Sequence, residues 1–418
     1  MKVSRFFTVC LLLLGVTYTT VASQRWERGQ GGDAALRWQQ VHYVLRGIDP
    51  NLLHQAVANR DDEFAMGLLE TEGIRFFEAL RLPQRAWPIG EYPPFAYGLA
   101  VPLHWPPDVV VADRWFMALS LAAWVLVLLW AAKLTRAGPR GVRCLGFASV
   151  FGMVSYPATL AVANYGVVVM GALVASMILL HRQKAAIAGI CIGFAMVKPT
   201  LAAPFLLVLL CRRSWWVGFA TACTLVMGAG ALHWLLTGVA PWESQVGASS
   251  HLASYTHRAG GVIKASRSWL ELPEPWATYG VAAIGLLFGC WLLWWYRSAS
   301  PLLLFAIAGV IARISFYHRG YDNLLLTFLL QLLLLQAIGT RPASMSLLRC
   351  WMPWIAMGIT LWLPGRIVAG PLQSLLGVLV WVLLLQIALK RAAPLHHDEK
   401  LLHAMRIDQA AASGSGAA

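Results

Sequence analysis

The sequence predicts an all-α polytopic membrane protein, a bundle of about twelve transmembrane helices with a large first loop outside the cytoplasm. Three observations predict it. First, 58% of the 418 residues are hydrophobic and only 12% are charged, with a mean hydropathy of +0.62, whereas a soluble domain carries roughly 25% charge. Second, runs such as 118–132, 324–338 and 375–389 hold few or no charges, and a hydrocarbon core about 30 Å thick needs about 20 such residues as helix. These runs do not alternate apolar with polar residues as barrel strands do, and within lipid a helix satisfies every backbone polar group inside its own segment. Third, the net charge of +14 is carried by short basic clusters between apolar runs. Lys133/Arg136/Arg140/Arg143, Arg182/Lys184, Arg212/Arg213 and Lys390/Arg391 are examples. That distribution is the mark of cytoplasmic loop ends under the positive-inside rule and argues against nucleic acid as a partner.

The elements follow in order. Residues 1–23 resemble a signal peptide, but with so many apolar runs downstream they read as an uncleaved first span, about 6–22, whose N-terminus is held inside by Lys2 and Arg5. The polar stretch 24–110 then lies outside. Eleven of the chain's 19 acidic residues fall there: Glu27, Asp33, Asp49, Asp61, Asp62, Glu63, Glu70, Glu72, Glu78, Glu91 and Asp108. Its basic residues are all Arg. Within it, 62–81 reads as an amphipathic helix, with Phe64/Leu68 and Phe76/Phe77/Leu80 forming apolar patches. It lies either on the membrane surface or on the protein's own core. The segment 93–105 is apolar, proline-bracketed and too short to span, so it reads as re-entrant or interfacial.

Further spans read at about 110–134, 144–161, 163–181, 185–198, 200–211, 215–237, 278–297, 300–317, 321–339, 350–364 and 370–390. The stretch 185–211 has basic clusters at both ends. Both ends are therefore expected inside, and a hairpin of two short helices places Lys198 at its outer turn. A second external loop, 238–277, carries His251, His257, Arg258, Lys264 and Arg267. Residues 1–397 read as one transmembrane domain. Residues 398–418 read as a cytoplasmic tail that ends in a linker-like Ser413-Gly-Ser-Gly-Ala-Ala418. The seven cysteines lie in or beside apolar runs, with no zinc-type spacing and no external disulfide framework.

A transporter concentrates charge midway along its spans. Here the spans are nearly charge-free, Arg313 being the main exception. Polar chemistry gathers instead in loop one, at the Lys198 turn, in 238–277 and at Tyr317-His318-Arg319-Gly320-Tyr321-Asp322-Asn323, all on the outer face by the same charge logic. Carboxylates and several cations set in an apolar bundle suit a substrate with a lipid tail and a phosphate head.

At these residues the chain resembles glycosyltransferase family 87, the polyprenyl-phosphate-mannose-dependent mannosyltransferase type of the GT-C superfamily. The resemblance covers about 20–340 in layout. It is carried by Asp33 after the first span, Gly47-Ile48-Asp49-Pro50, Tyr92-Pro93-Pro94, the Gly-rich helix ending in Lys198-Pro199, and Ser315-Phe316-Tyr317-His318. Where the family often has Gly-Gln before its fourth-span helix, this chain has Asn164-Tyr165-Gly166. The resemblance implies a GT-C-like bundle and an inverting transfer of one sugar from a polyprenyl-phosphate carrier to an extracytoplasmic acceptor in the bacterial inner membrane. Mannose is the family's usual sugar, and a pentose such as arabinofuranose is an alternative. It implies no cofactor and no metal, because Lys, Arg or His can meet the charge of the leaving phosphate.

Asp33 is the expected base, by its place after span one and by the resemblance; its alternative is a helix N-cap. Asp49 is the rival base, or the former of a turn before Pro50, or a substrate contact. Lys198 is expected at the donor phosphate, because a lysine in so apolar a stretch either serves a ligand or snorkels. His318, Arg319 and Arg258 are further phosphate candidates. Glu91, Tyr92, His257 and Tyr321 are candidate substrate contacts. Two other classes fit the same layout: a flippase for lipid-linked sugars, and a polysaccharide ligase using a polyprenyl-diphosphate donor.

Overall fold

The computed structural model describes residues 2–27, 32–53, 92–138, 142–245, 279–316, 320–339, 347–363 and 371–392. Every element among them is helical: α1 (Lys2–Glu27), α2 (Gly32–Leu45), α3 (Pro94–His104), α4 (Val109–Thr135), α5 (Leu145–Phe151), α6 (Ser155–Ala161), α7 (Gly166–His181), α8 (Ala185–Ala195), α9 (Pro199–Leu210), the 3-10 turn η1 (Arg213–Trp215), α10 (Trp216–Thr237), α11 (Val281–Trp295), α12 (Pro301–Ser315), the 3-10 turn η2 (Gly320–Leu326), α13 (Thr327–Gly339), α14 (Leu347–Trp362) and α15 (Pro371–Ala392). The amphipathic helix expected at 62–81 and the loop core at 246–278 lie outside the described residues.

Among the described residues, four stretches are long and apolar enough to cross a membrane: Arg5–Trp26, Val109–Thr135, Arg213–Thr237 and Gly320–Gly339. Shorter apolar helices include α7, α8, α9, α11 and α12. The exposed large side chains on the long helices recur on one face. Leu121, Val125 and Leu129 line α4, and Ile284, Leu287, Trp291 and Trp294 line the shorter α11. Contiguous apolar stripes of that extent mark a membrane-facing surface. By contrast α12 is buried almost all round, from Pro301 to Arg313, as expected of a helix at the centre of a bundle.

Local chemistry sets the helix ends. The Asp108 carboxylate accepts from Val111 N at 2.9 Å and caps α4. Pro199 and Pro301 occupy the first turns of α9 and α12, where the missing N–H costs nothing. Gly238, with φ of 70°, closes α10 in the left-handed conformation.

The segment 144–161 was expected as one span, and the structure corrects this to two seven-residue helices, α5 and α6. Pro157 lies in the first turn of α6. In a continuous helix its ring would meet the carbonyl four residues back and remove a backbone bond, so the chain breaks at 152–154 instead. The stretch 185–211 forms two short helices, α8 and α9, with Lys198 in the turn between them. α3 is an 11-residue helix, about 16 Å long at 1.5 Å per residue, too short to cross.

Small residues bring α8 and α10 into contact. A Cβ built on Gly189 would fall on the Gly218 carbonyl oxygen, and one on Gly193 would sit 3.1 Å from Ala222 Cα. Ala185, Gly189 and Gly193 recur every four residues on α8 and face Gly218 and Ala222 on α10, the small-residue packing used where lipid removes the hydrophobic drive between helices. This contact fixes the helix that leads into Lys198.

Candidate active site

Four side chains from four separate segments form one hydrogen-bonded chain. Asp33 sits in the first turn of α2, whose start is tied to the end of α6 by Asp33 N donating to Val162 O at 3.3 Å. Asn164 follows the turn after α6. Lys198 is in the α8–α9 turn, and Asp322 is in η2. Asn164 Nδ2 donates to Asp33 Oδ2 at 2.9 Å. Lys198 Nζ donates to Asn164 Oδ1 at 2.7 Å and to Asp322 Oδ1 at 2.6 Å.

Asn164, Lys198 and Asp322 are buried, while Asp33 is partly open. A buried ammonium is tolerated only when paired and hydrogen-bonded, and Asp322 and Asn164 meet that requirement. Lys198 does not snorkel to an interface. The Tyr321 ring lies 5.2 Å from its Nζ, adding a cation–π contact. An ammonium carries three donors; two are used, and the third has no acceptor among the described residues. Asp33 likewise keeps Oδ1 without a partner among the described residues, and its carboxylate accepts from Asn164, with no bond to an amide of its own helix.

The turn that presents Asn164 is held by Ala163 N to Leu160 O at 3.0 Å and Asn164 N to Thr159 O at 3.1 Å. Ala163 has φ of 53°, a left-handed conformation that costs a residue with a Cβ roughly 1–2 kcal/mol. Strain of this kind collects at functional sites.

An aromatic and cationic wall stands beside Asp33. Arg37 is one turn along α2, buried, with its guanidinium 4.3 Å over the Tyr92 ring. Tyr92 packs edge-on against Tyr165 at 5.9 Å, and the Tyr165 hydroxyl lies 3.1 Å from His104 Nε2. On the other side, Arg313 Nε donates to Asn323 Oδ1 at 2.6 Å, next to Asp322.

Of the residues expected from sequence, the structure brings Asp33, Lys198 and Tyr321 together, with Tyr92 alongside through Arg37. Asp49 lies elsewhere. It follows the C-terminal end of α2, and the helix from Asp33 to Leu45 rises roughly 18 Å. Its Oδ1 accepts from Asn51 N and Leu52 N, both at 2.8 Å, the geometry of a turn and helix start. Its Oδ2 lies 3.2 Å from His233 Nε2, close enough for electrostatic attraction but not aligned as a hydrogen bond. Glu91, His257, Arg258, His318 and Arg319 lie outside the described residues. Sequence reading did not select Asn164, Asp322 or Arg37. Asp322 carried a usable signal, because it is the lone acidic residue between 299 and 339, as Lys198 is the lone charge between 185 and 211.

The fold and the site thus define a helical membrane protein with a cluster of two carboxylates, an amide and a lysine set among apolar helices. A family model described as glycosyltransferase family 87 matches residues 91–317, more than half of the chain. The chain belongs to glycosyltransferase family 87 and is a membrane glycosyltransferase. Comparison with curated proteins and with solved structures gives no match. The matched segment includes Asn164 and Lys198 and ends at residue 317, shortly before Asp322; Asp33 precedes it.

Proposed function

We propose that the protein moves one sugar, mannose or a pentose such as arabinofuranose, from a polyprenyl-phosphate carrier to a glycan, glycolipid or glycoprotein acceptor. Transfer takes place on the extracytoplasmic face of a bacterial inner membrane and inverts the anomeric carbon. The supporting observation is that Asp33 and Lys198 are held one amide apart by Asn164.

In this scheme Asp33 Oδ1 takes the proton of the acceptor hydroxyl as its oxygen attacks the anomeric carbon. A positioned base of this kind is worth about 10²–10⁴-fold in rate. The bond from the anomeric carbon to the phosphate oxygen breaks, and its electron pair leaves on the polyprenyl phosphate. The unused N–H of Lys198 faces that developing charge, where a fixed donor in an apolar surround acts most strongly. Attack and departure lie on opposite faces of the sugar, hence inversion. Asp322 keeps the cation in place before the donor binds. His318, Arg319 and Arg258 are further phosphate contacts, and Tyr92, Tyr321, Glu91 and His257 are sugar or acceptor contacts in the same proposal. The basic clusters between apolar runs, read as cytoplasmic loop ends, support a site on the outer face.

The experiment is transfer by the purified protein in nanodiscs from polyprenyl-phosphate sugars, with Lys198→Met as the test variant. The proposal expects cleavage of the sugar–phosphate bond by the wild type and loss of turnover in K198M. Translocation of the lipid-linked sugar without cleavage supports the flippase reading instead. Turnover only with a polyprenyl-diphosphate donor supports the ligase reading.

A further inference from the structure

Asn164 bonds to both Asp33 and Lys198, and its amide can be oriented from chemistry alone. Its Oδ1 lies 2.7 Å from Lys198 Nζ and 3.2 Å from the Gly166 amide nitrogen. Both neighbours are pure donors, so the atom facing them is the acceptor oxygen. The other terminal atom is therefore the NH₂ group, and it points at Asp33 Oδ2, 2.9 Å away. An NH₂ group donates only, so the Asp33 oxygen it meets acts as an acceptor. This leaves Oδ1 as the oxygen open to a substrate hydroxyl.

We propose that Asn164 is a positioning residue that aims the Asp33 carboxylate and ties its orientation to the Lys198–Asp322 pair. The inference rests on the reading of Asp33 as the base. Asn164 acts through Asp33 and need not touch substrate. The arrangement works in one direction: Asp322 and Asn164 fix the cation, the cation fixes the amide, and the amide fixes the carboxylate. The left-handed Ala163 and the backbone bonds of the 159–166 turn hold the amide from behind.

The charged and titratable surroundings of Asp33 bear on the test. Arg37 lies one turn along α2, and Lys198 and Asp322 lie across Asn164. Tyr165 follows Asn164 in the chain and interacts electrostatically with Asp33. Of the elements packed on α2, α3 brings His104, α4 brings Asp113 and Arg114, and α10 brings His233.

Asn164→Asp keeps an acceptor for Lys198 and Gly166 but sets a carboxylate against Asp33, and two facing carboxylates retain a proton between them. The expected result is a fall in kcat of about tenfold or more at neutral pH, with the acid limb of the kcat–pH profile moved up by about one unit or more. Donor KM should stay within about threefold, because uniform binding is not what the amide supplies. An unmoved acid limb, or a loss carried wholly by KM, overturns the inference.

Should N164D not fold, Asn164→Ser and a readout without turnover decide. Carbodiimide labelling of Asp33, followed by peptide mass spectrometry across pH, reports its protonation directly. The labelling midpoint should rise in N164S, and an unchanged midpoint overturns the inference. Asp33→Asn separates the two levels. If D33N is active, the base reading itself has failed. If D33N is inactive while N164D keeps the wild-type acid limb, only the role of Asn164 has failed.

Discussion

Lys198 Nζ lies 2.6 Å from Asp322 Oδ1, and both side chains are almost fully withdrawn from solvent. The two residues are 124 positions apart, so the pair joins the α8–α9 turn to η2. Removing one partner of a buried pair strands the other charge and typically costs about 3–5 kcal/mol. Lys198→Met and Asp322→Asn should each lower the unfolding midpoint in detergent. The double variant should recover much of that stability and none of the turnover. Additive losses in the double variant would show that the pair is not an energetic unit.

The α8–α10 contact should tolerate no added side chain. Because a Cβ on Gly189 meets the Gly218 carbonyl oxygen, Gly189→Val must push the helices apart, and overpacking of this kind costs about 1–3 kcal/mol. The helix displaced, α8, leads into the turn that holds Lys198, so transfer should fall together with stability. Thermal unfolding and activity measured on the same sample check this. By contrast Gly228, with nothing near its Cβ, should accept Ala without loss.

Ala163 is held at φ of 53°, which a glycine adopts without steric penalty. Ala163→Gly should fold at least as readily in this turn and keep activity. Ala163→Val, whose branched Cβ is least suited to that conformation, should lose both. Equal behaviour of the two variants in thermal unfolding would mean that the turn is not strained.

Asp49 supplies a pH dependence whose direction can be worked out. Burial alone would raise its carboxyl. The proximity of His233 and the hydrogen bonds from Leu52 N and Ser244 outweigh burial and hold it below the ordinary value of 3.8. A carboxyl with a lower value in the folded state binds fewer protons there than in the unfolded chain. Its contribution is therefore fully present above about pH 4 and is lost as pH falls through the folded-state value. Asp49→Asn should flatten the acid side of the stability–pH curve, as read by urea or thermal midpoints between neutral and acid pH. An unchanged acid slope would show that Asp49 is not linked to folding.

Composition and charge placement made much of the fold legible. Charge-poor runs marked the helices, and the basic residues flanking 185–211 required the hairpin that puts Lys198 in a turn. The break at 152–154 was not legible, because 144–161 carries no charge after Arg143 and Gly152 and Pro157 are weak signals in so apolar a run. Asp33 and Lys198 stood out as charges at the edge or centre of apolar sequence. Asn164 did not, since a neutral amide after an apolar run looks like any turn residue. Its importance comes from contacts 131 and 34 positions away, which only the packed chain reveals. Asp49 shows the converse: its sequence context allowed a base or a turn, and its hydrogen bonds are those of a turn.

The most direct test is sugar transfer from a polyprenyl-phosphate donor by wild type and Asp33→Asn under saturating donor. The substitution keeps the shape of the side chain and removes its ability to accept a proton. With Asp33 as the base, kcat should fall by about 10²–10⁴-fold with donor KM nearly unchanged and the protein still folded. Wild-type kcat in D33N would contradict it.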